Sequence, residues 1–333
     1  MLRRMMLGVG MALLAMAGTA GTAQQGLLLV IEKGEESLAV IDPATGKVVT
    51  SIHENGVTGH EVAAGPTGWL AYVPIYGDSG VGKPGSNGRN MVVIDLSARE
   101  VVASLDFGHE VRPHQPVFGP KDGLLYVTTE LDNTVTVIEP KTLKIVGTIP
   151  TGQAESHMLA ISHDGRRGYT ANVGPGTVSV LDMEARKTVK IIPVAPSTQR
   201  ISVSMDDKWV FTADQTKPRL AVIDTATNTV KTWIALDAVG YGSAPTLDGK
   251  SLLVALPGAN KVAVVDLKTM KQVRTIEVAA GPQAVLMNPN GKTAYVSCDG
   301  AQKVSEIDLA TGKVTREMAT GKGTDGMAWA AAR

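Results

Sequence analysis

The sequence predicts an all-β, seven-bladed β-propeller with four antiparallel strands in each blade, on three observations. A short phrase returns seven times, as LAVIDPATGK, MVVIDLSARE, VTVIEPKTLK, VSVLDMEARK, LAVIDTATNT, VAVVDLKTMK and VSEIDLATGK. The acids that close these apolar runs, Asp42, Asp95, Glu139, Asp182, Asp224, Asp266 and Asp308, lie 53, 44, 43, 42, 42 and 42 residues apart. Between them the chain alternates short apolar runs with turn residues, and a fixed period filled in this way marks a blade-by-blade array. Composition agrees, because 36 glycines among short Val- and Thr-bearing runs favour strands and turns over helices.

The first segment reads differently from the rest. Arg3 and Arg4 precede an apolar run from Met5 to Ala17, and small residues follow to Ala23. Basic, apolar, then small is the pattern of a secretory signal peptide, so residues 1–23 are expected to be cleaved before Gln24 and residues 24–333 to form the propeller. The apolar run is short for a membrane span. No span is expected after cleavage, and the protein is expected to be periplasmic or secreted.

One repeat shows the unit. His157 to Ser162, Arg167 to Asn172, Thr177 to Leu181 and Lys187 to Val194 are four strands separated by turns such as His163-Asp164-Gly165 and Gly174-Pro175-Gly176. The repeated acid has a local task. In Asp42-Pro43-Ala44-Thr45-Gly46 the carboxylate accepts from turn amides and Gly takes the left-handed position. The seven acids are therefore turn formers rather than a catalytic set.

The register predicts how the ring closes. Leu27 to Glu32 matches the second strand of the unit, and Gly326 to Ala331 matches the first. Pairing these ends puts Met327 to Ala330 innermost in the blade that holds Leu27 to Ile52, which removes an open edge.

At this point the chain resembles a known family. AYVP at 71–74, LYVT at 125–128, GYTAN at 168–172 and AYVSCD at 294–299 are similar to the YVTN repeat of bacterial seven-bladed propellers, a group related to quinoprotein-amine-dehydrogenase-like propellers. The resemblance spans 27–331. It implies an exported propeller and no single activity, since one scaffold hosts many functions.

Function is sought where the repeats differ. Twelve residues before the second-strand positions Tyr72, Tyr126, Tyr169, Phe211, Leu253 and Tyr295 stand His60, His114, His157, Gln199, Tyr241 and Gln283, and Asp325 takes the place in the closing repeat. These positions begin the innermost strands and are expected to ring one mouth of the central channel. Arg112 and Arg200 lie beside them, with Glu54, Glu61, Glu110 and Glu155. His53 and His109 fall in loops leading to the same face, so His60, His114, His157, His53 and His109 form the candidate metal set. Imidazoles and carboxylates suit a divalent transition metal. No metal or other cofactor is required by a motif.

An insertion from Tyr76 to Asn90 lengthens the connection between the second and third strands of one blade, where a lid or specificity loop is expected. It contains GDSGVGK at 77–83, a P-loop-like string. Pro84 replaces the hydroxyl residue that would bind Mg²⁺ and no helix follows, so nucleotide hydrolysis is not expected. Lys83 and Arg89 remain candidates for contact with an anionic ligand. The chain has no GxSxG nucleophile elbow and no CxxCH haem attachment, and no catalytic residue is assigned. Cys298 is the single cysteine and reads as a buried, inert thiol.

Acidic and basic residues number 32 each, and cleavage of the leader would leave 30 basic residues. A neutral chain with 4% aromatics is not expected to bind nucleic acid. The leading functional expectation is an exported, monomeric binding or scaffold protein that holds a small molecule, peptide or protein partner at the mouth. Two alternatives come from the resemblance. One is a metal-assisted enzyme like the propeller lactonases and virginiamycin B lyase. The other is a non-catalytic subunit of a periplasmic redox enzyme, as in quinohaemoprotein amine dehydrogenases.

Overall fold

The computed structural model describes residues 26–331. The expected leader and its cleavage point lie outside these residues. Seven four-stranded antiparallel sheets surround a central channel. Blades 2 to 7 each use consecutive strands, with the inner strands at Ala63–Ala64, Pro113–Phe118, Ser156–Ile161, Ile201–Val203, Ser243–Pro245 and Pro282–Met287. Blade 1 is shared between the chain ends: Thr324–Ala331 is innermost and pairs with Gly26–Glu32, followed by Ser37–Asp42 and Lys47–His53. The closing register sets Leu27 opposite Ala330, Leu28 opposite Trp329 and Val30 opposite Met327. This is the pairing expected from the repeat register. The helical content among the described residues is three single 3₁₀ turns.

Side-chain alternation joins the blades. Along Gly26–Glu32, Leu28 and Val30 pack with Tyr295, Val304 and Met318 of blade 7, while Leu29 and Ile31 pack with Val73, Val92 and Ile94 of blade 2. The outer strands are mostly exposed but each anchors one residue near its end: Ile52, Leu105, Ile149, Ile192, Ile234, Ile276 and Met318. Burying one such side chain contributes on the order of 2 kcal/mol.

The repeated acids act as turn formers. Asp42 Oδ1 accepts from the Ala44 amide at 2.9 Å, Glu139 accepts from the Lys141 and Thr142 amides, and Asp308 Oδ1 accepts from the Thr311 amide at 2.7 Å. Four residues after each acid the backbone turns left-handed, at Gly46, Arg99, Leu143, Arg186, Asn228, Met270 and Gly312. Only two of these seven are Gly, so the other five carry strain. Arg99 is exposed and has φ 62°. Arg99→Gly should therefore raise unfolding free energy by about 0.5–1 kcal/mol, the relieved strain less the entropy cost of Gly. A higher urea midpoint with unchanged slope is the expected reading; a lower midpoint would count against left-handed strain at this turn.

Candidate functional site

Three consecutive repeats bring His60, His114 and His157 together at one mouth of the channel. The His114 and His157 ring centroids lie 3.5 Å apart with their planes tilted by 31°, and His60 meets His114 edge-on at 5.4 Å. Tyr76 packs against all three, with centroid distances of 4.7, 5.2 and 5.7 Å to His60, His114 and His157. His114 and His157 are almost completely buried.

The cluster encloses a cavity of about 170 Å³ lined by six of the seven predicted ring residues: His60, His114, His157, Gln199, Tyr241 and Asp325. Gln283 does not line it; the Gln283 carbonyl accepts from the Gly242 amide at 3.1 Å. Arg200 and Lys33 complete the charged wall. Arg200 donates to Asp325 Oδ1 at 2.6 Å and forms an ion pair with Glu61 Oε1 at 2.8 Å, while Lys33 Nζ lies 2.9 Å from Asp325 Oδ2. The Arg200 guanidinium also sits 5.1 Å from the centre of the Tyr241 ring. A second cavity of about 170 Å³ lies deeper, lined by Glu61 and Gln115, and Arg200 and Met158 border both.

Burial sets the protonation states. It pushes His60 down to about 3, despite the nearby Asp325. His114 is lowered well below the usual value by burial and by its two histidine neighbours. Burial also lowers His157, against the pull of Glu130. All three imidazoles are therefore neutral near pH 7. Glu130 opposes its own burial through bonds from His157 and Tyr76, which hold it below the ordinary range. Its Oε2 lies 3.2 Å from His157 Nδ1, so an Nδ1–H donates there and leaves Nε2 as the lone-pair nitrogen. Burial raises Glu61 to about 7 despite Arg200, whereas Arg200 and Lys33 keep Asp325 below its usual value against burial.

The inserted loop closes the mouth. The second strand of blade 2 ends at Ile75 and the third begins at Asn90, and Gly80 and Val81 of the intervening loop line the cavity. Arg112 ties this loop down, donating from Nε to Asn87 Oδ1 at 2.6 Å and from Nη2 to the Lys83 carbonyl at 2.7 Å. It does so from a left-handed backbone, φ 48°, a cost that fits a functional clamp. Gly88 is required where the loop doubles back, because a Cβ there would lie 1.6 Å from the Ile75 carbonyl oxygen. Tyr76 donates its hydroxyl to buried Glu130 Oε2 at 2.6 Å. Tyr76→Phe should cost about 1.5–3 kcal/mol, the range for a charged hydrogen bond, and speed amide exchange in 76–90. Unchanged exchange in that loop would show that it is held elsewhere.

The other candidates stand apart. His53 is exposed at the end of an outer strand, 3.6 Å from Glu36, and His109 is exposed beside Asp132 at 2.8 Å. Neither joins the cluster. Among the described residues, no group of three or more His, Cys, Asp or Glu side chains has the geometry to hold a metal ion. Arg89 is occupied by a bidentate pair with Asp106, and the P-loop-like string forms no strand-loop-helix unit.

Three residues of the site escaped the repeat comparison. Lys33, Tyr76 and Glu130 all stand four residues past the second-strand reference position, counted from Leu29, Tyr72 and Tyr126. Their shared offset was a readable signal: the exit of each second strand reaches the same mouth as the entry of each first strand.

Comparison with known proteins supports the fold. The model of the Cytochrome D1 heme domain family matches residues 121–240, and that of the YNCE-like beta-propeller family matches 243–332. A functionally unknown protein from Desulfotomaculum acetoxidans DSM 771 superposes with a TM-score of 0.76 at 15% identity, over 92% of this chain and 99% of that one. Kuenenia stuttgartiensis hydrazine synthase superposes with a TM-score of 0.69 at 19% identity, over 89% of this chain and 99% of that one. No curated protein matches in sequence.

Proposed function

We propose that this chain, a YVTN-like seven-bladed propeller, is an exported binding protein that holds a small polar ligand in the closed mouth of its channel. The observation that carries the reading is the cavity itself: three neutral imidazoles, an Arg–Asp–Lys network and the tip of the inserted loop converge on one space. Convergent polar groups in a concave site are the usual mark of a ligand pocket. Burying Arg200, Asp325 and Glu61 is costly even though they pair with one another, which sets this mouth apart from the apolar contacts between blades. Periplasmic or secreted localisation follows from the leader pattern and belongs to the same proposal.

The family match at 121–240 raises haem as a candidate ligand. It does not fit the closed site. Pockets for drug-sized ligands run to about 300–1,000 Å³, whereas this cavity is about 170 Å³. A peptide or protein partner would likewise have to displace the loop at 76–90. A transition ion would require the mouth side chains to rearrange, since among the described residues no three of them form a metal-holding group.

The test is native mass spectrometry on mature protein incubated with the small-molecule fraction of a cell extract, beside a variant with His60, His114 and His157 replaced by Asn. One small adduct per wild-type chain, lost in the variant, is expected. Metal analysis of the same samples separates an organic ligand from an ion. Bare protein in both samples would remove the proposal.

A further inference from the structure

The wall of the mouth cavity carries charged hydrogen-bond donors that its carboxylate does not absorb. Among the described residues Asp325 is the only carboxylate lining it, and both oxygens are occupied, Oδ1 by Arg200 and Oδ2 by Lys33. Arg200 Nε bears an N–H that can only donate, and this buried atom has no partner among the described residues. His114 Nδ1 is also buried and unpartnered. Lys33 has three N–H bonds and, among the described residues, one side-chain partner, Asp325.

Charge points the same way. With the imidazoles neutral, the lining holds two cations against one anion. Glu61, across Arg200 in the deeper cavity, is the further acid in contact, and burial moves it toward the neutral form. A cation entering the mouth would meet an ammonium and a guanidinium. An acceptor-bearing anion would satisfy both and give unpartnered N–H groups their missing acceptors.

We propose that the cavity binds one small oxygen anion, a short carboxylate or an inorganic oxyanion, against Arg200 Nε, Lys33 Nζ and His114 Nδ1. This rests on the reading of the mouth as a ligand site and names the ligand's chemical class. The cavity volume restricts the anion to a few heavy atoms, and Gly80 and Val81 of the inserted loop form part of its wall. Neutral His114 contributes as a hydrogen-bond donor in its Nδ1–H form.

Calorimetric titration of the full mature chain tests this with acetate, formate, sulfate and phosphate, and with acetamide as the neutral counterpart of acetate and Zn²⁺ as the cation. Saturable one-to-one binding of at least one anion is expected, with acetamide weaker by about tenfold or more, the effect of losing a charged hydrogen bond. Binding of acetate or formate alone identifies a carboxylate site; binding of sulfate or phosphate identifies an inorganic one. Lys33→Met should weaken the anion by about tenfold and acetamide by less. It is the informative variant because Asp325 keeps Arg200 as its partner, while Arg200 variants risk misfolding. Binding of acetamide or Zn²⁺ without any anion would overturn the anion assignment and leave the ligand-site reading standing. If no anion binds, the assignment also fails, and if the extract in the preceding experiment yields no adduct either, both readings fail together.

Discussion

Arg200→Met should lower folding stability by about 3–5 kcal/mol at pH 7, the cost of leaving buried charge without its partner. Arg200 is 7% exposed and is the sole ion-pair partner of Glu61 among the described residues; it also shares Asp325 with Lys33. Met fills similar space but leaves Glu61 without its cation and Asp325 with Lys33 alone. The companion experiment adds Glu61→Gln and Asp325→Asn to the same chain. Neutral amides need no counter-charge, so the triple variant should recover most of the loss, and the three changes should be strongly non-additive. Urea denaturation of the four proteins reads the cycle. A single Arg200→Met variant within about 1 kcal/mol of wild type, the range of an exposed pair, would show that water reaches this bridge and that the mouth is not closed.

Glu54→Gln should stabilise the protein above neutral pH by up to about 3 kcal/mol. Glu54 is fully buried; its Oε2 accepts from the Gly59 amide at 2.6 Å, and its Oε1 has no partner among the described residues. Burial raises its pKa to about 7, with Glu36 and Glu32 adding to the shift. The unfolded value is near 4.5. Between these values the folded state holds the proton more tightly than the unfolded state. The stabilising contribution is complete below the unfolded pKa and is lost as pH rises to about 7. Gln keeps an oxygen for Gly59 and does not titrate. Wild type should therefore lose stability from pH 4.5 to 8 more steeply than the variant. Parallel curves would show that Glu54 is ionised throughout and that its burial is compensated.

Much of the architecture was legible because it is written in turns. An acid that accepts turn amides and a left-handed residue four places on recur in every blade, so spacing alone locates the strands. The mouth was legible in the same way, since ring positions at a constant offset from the second-strand residue enter the channel together. His53 and His109 show where that reasoning stops. They lie only seven and five residues before His60 and His114, yet they sit at the rim. The connection from an outer strand to the next inner strand crosses the width of a blade, three strand spacings or about 14 Å. A few residues suffice to separate the two ends. The pairing of Arg200 with Asp325, 125 residues apart, has no local signature at all. It depends on the diameter of the channel, which seven-fold closure determines and no single repeat contains.

The six histidines offer an internal comparison for the central claim that the mouth is a ligand site. His60, His114 and His157 face it, while His53, His109 and His163 pair with acids on exposed turns. Imidazole ¹⁵N spectra recorded before and after adding the small-molecule fraction of a cell extract read all six at once. The prediction is that the three mouth signals move together and saturate, while the three exposed signals stay in place. Movement confined to the exposed signals, or no movement in any, would contradict it.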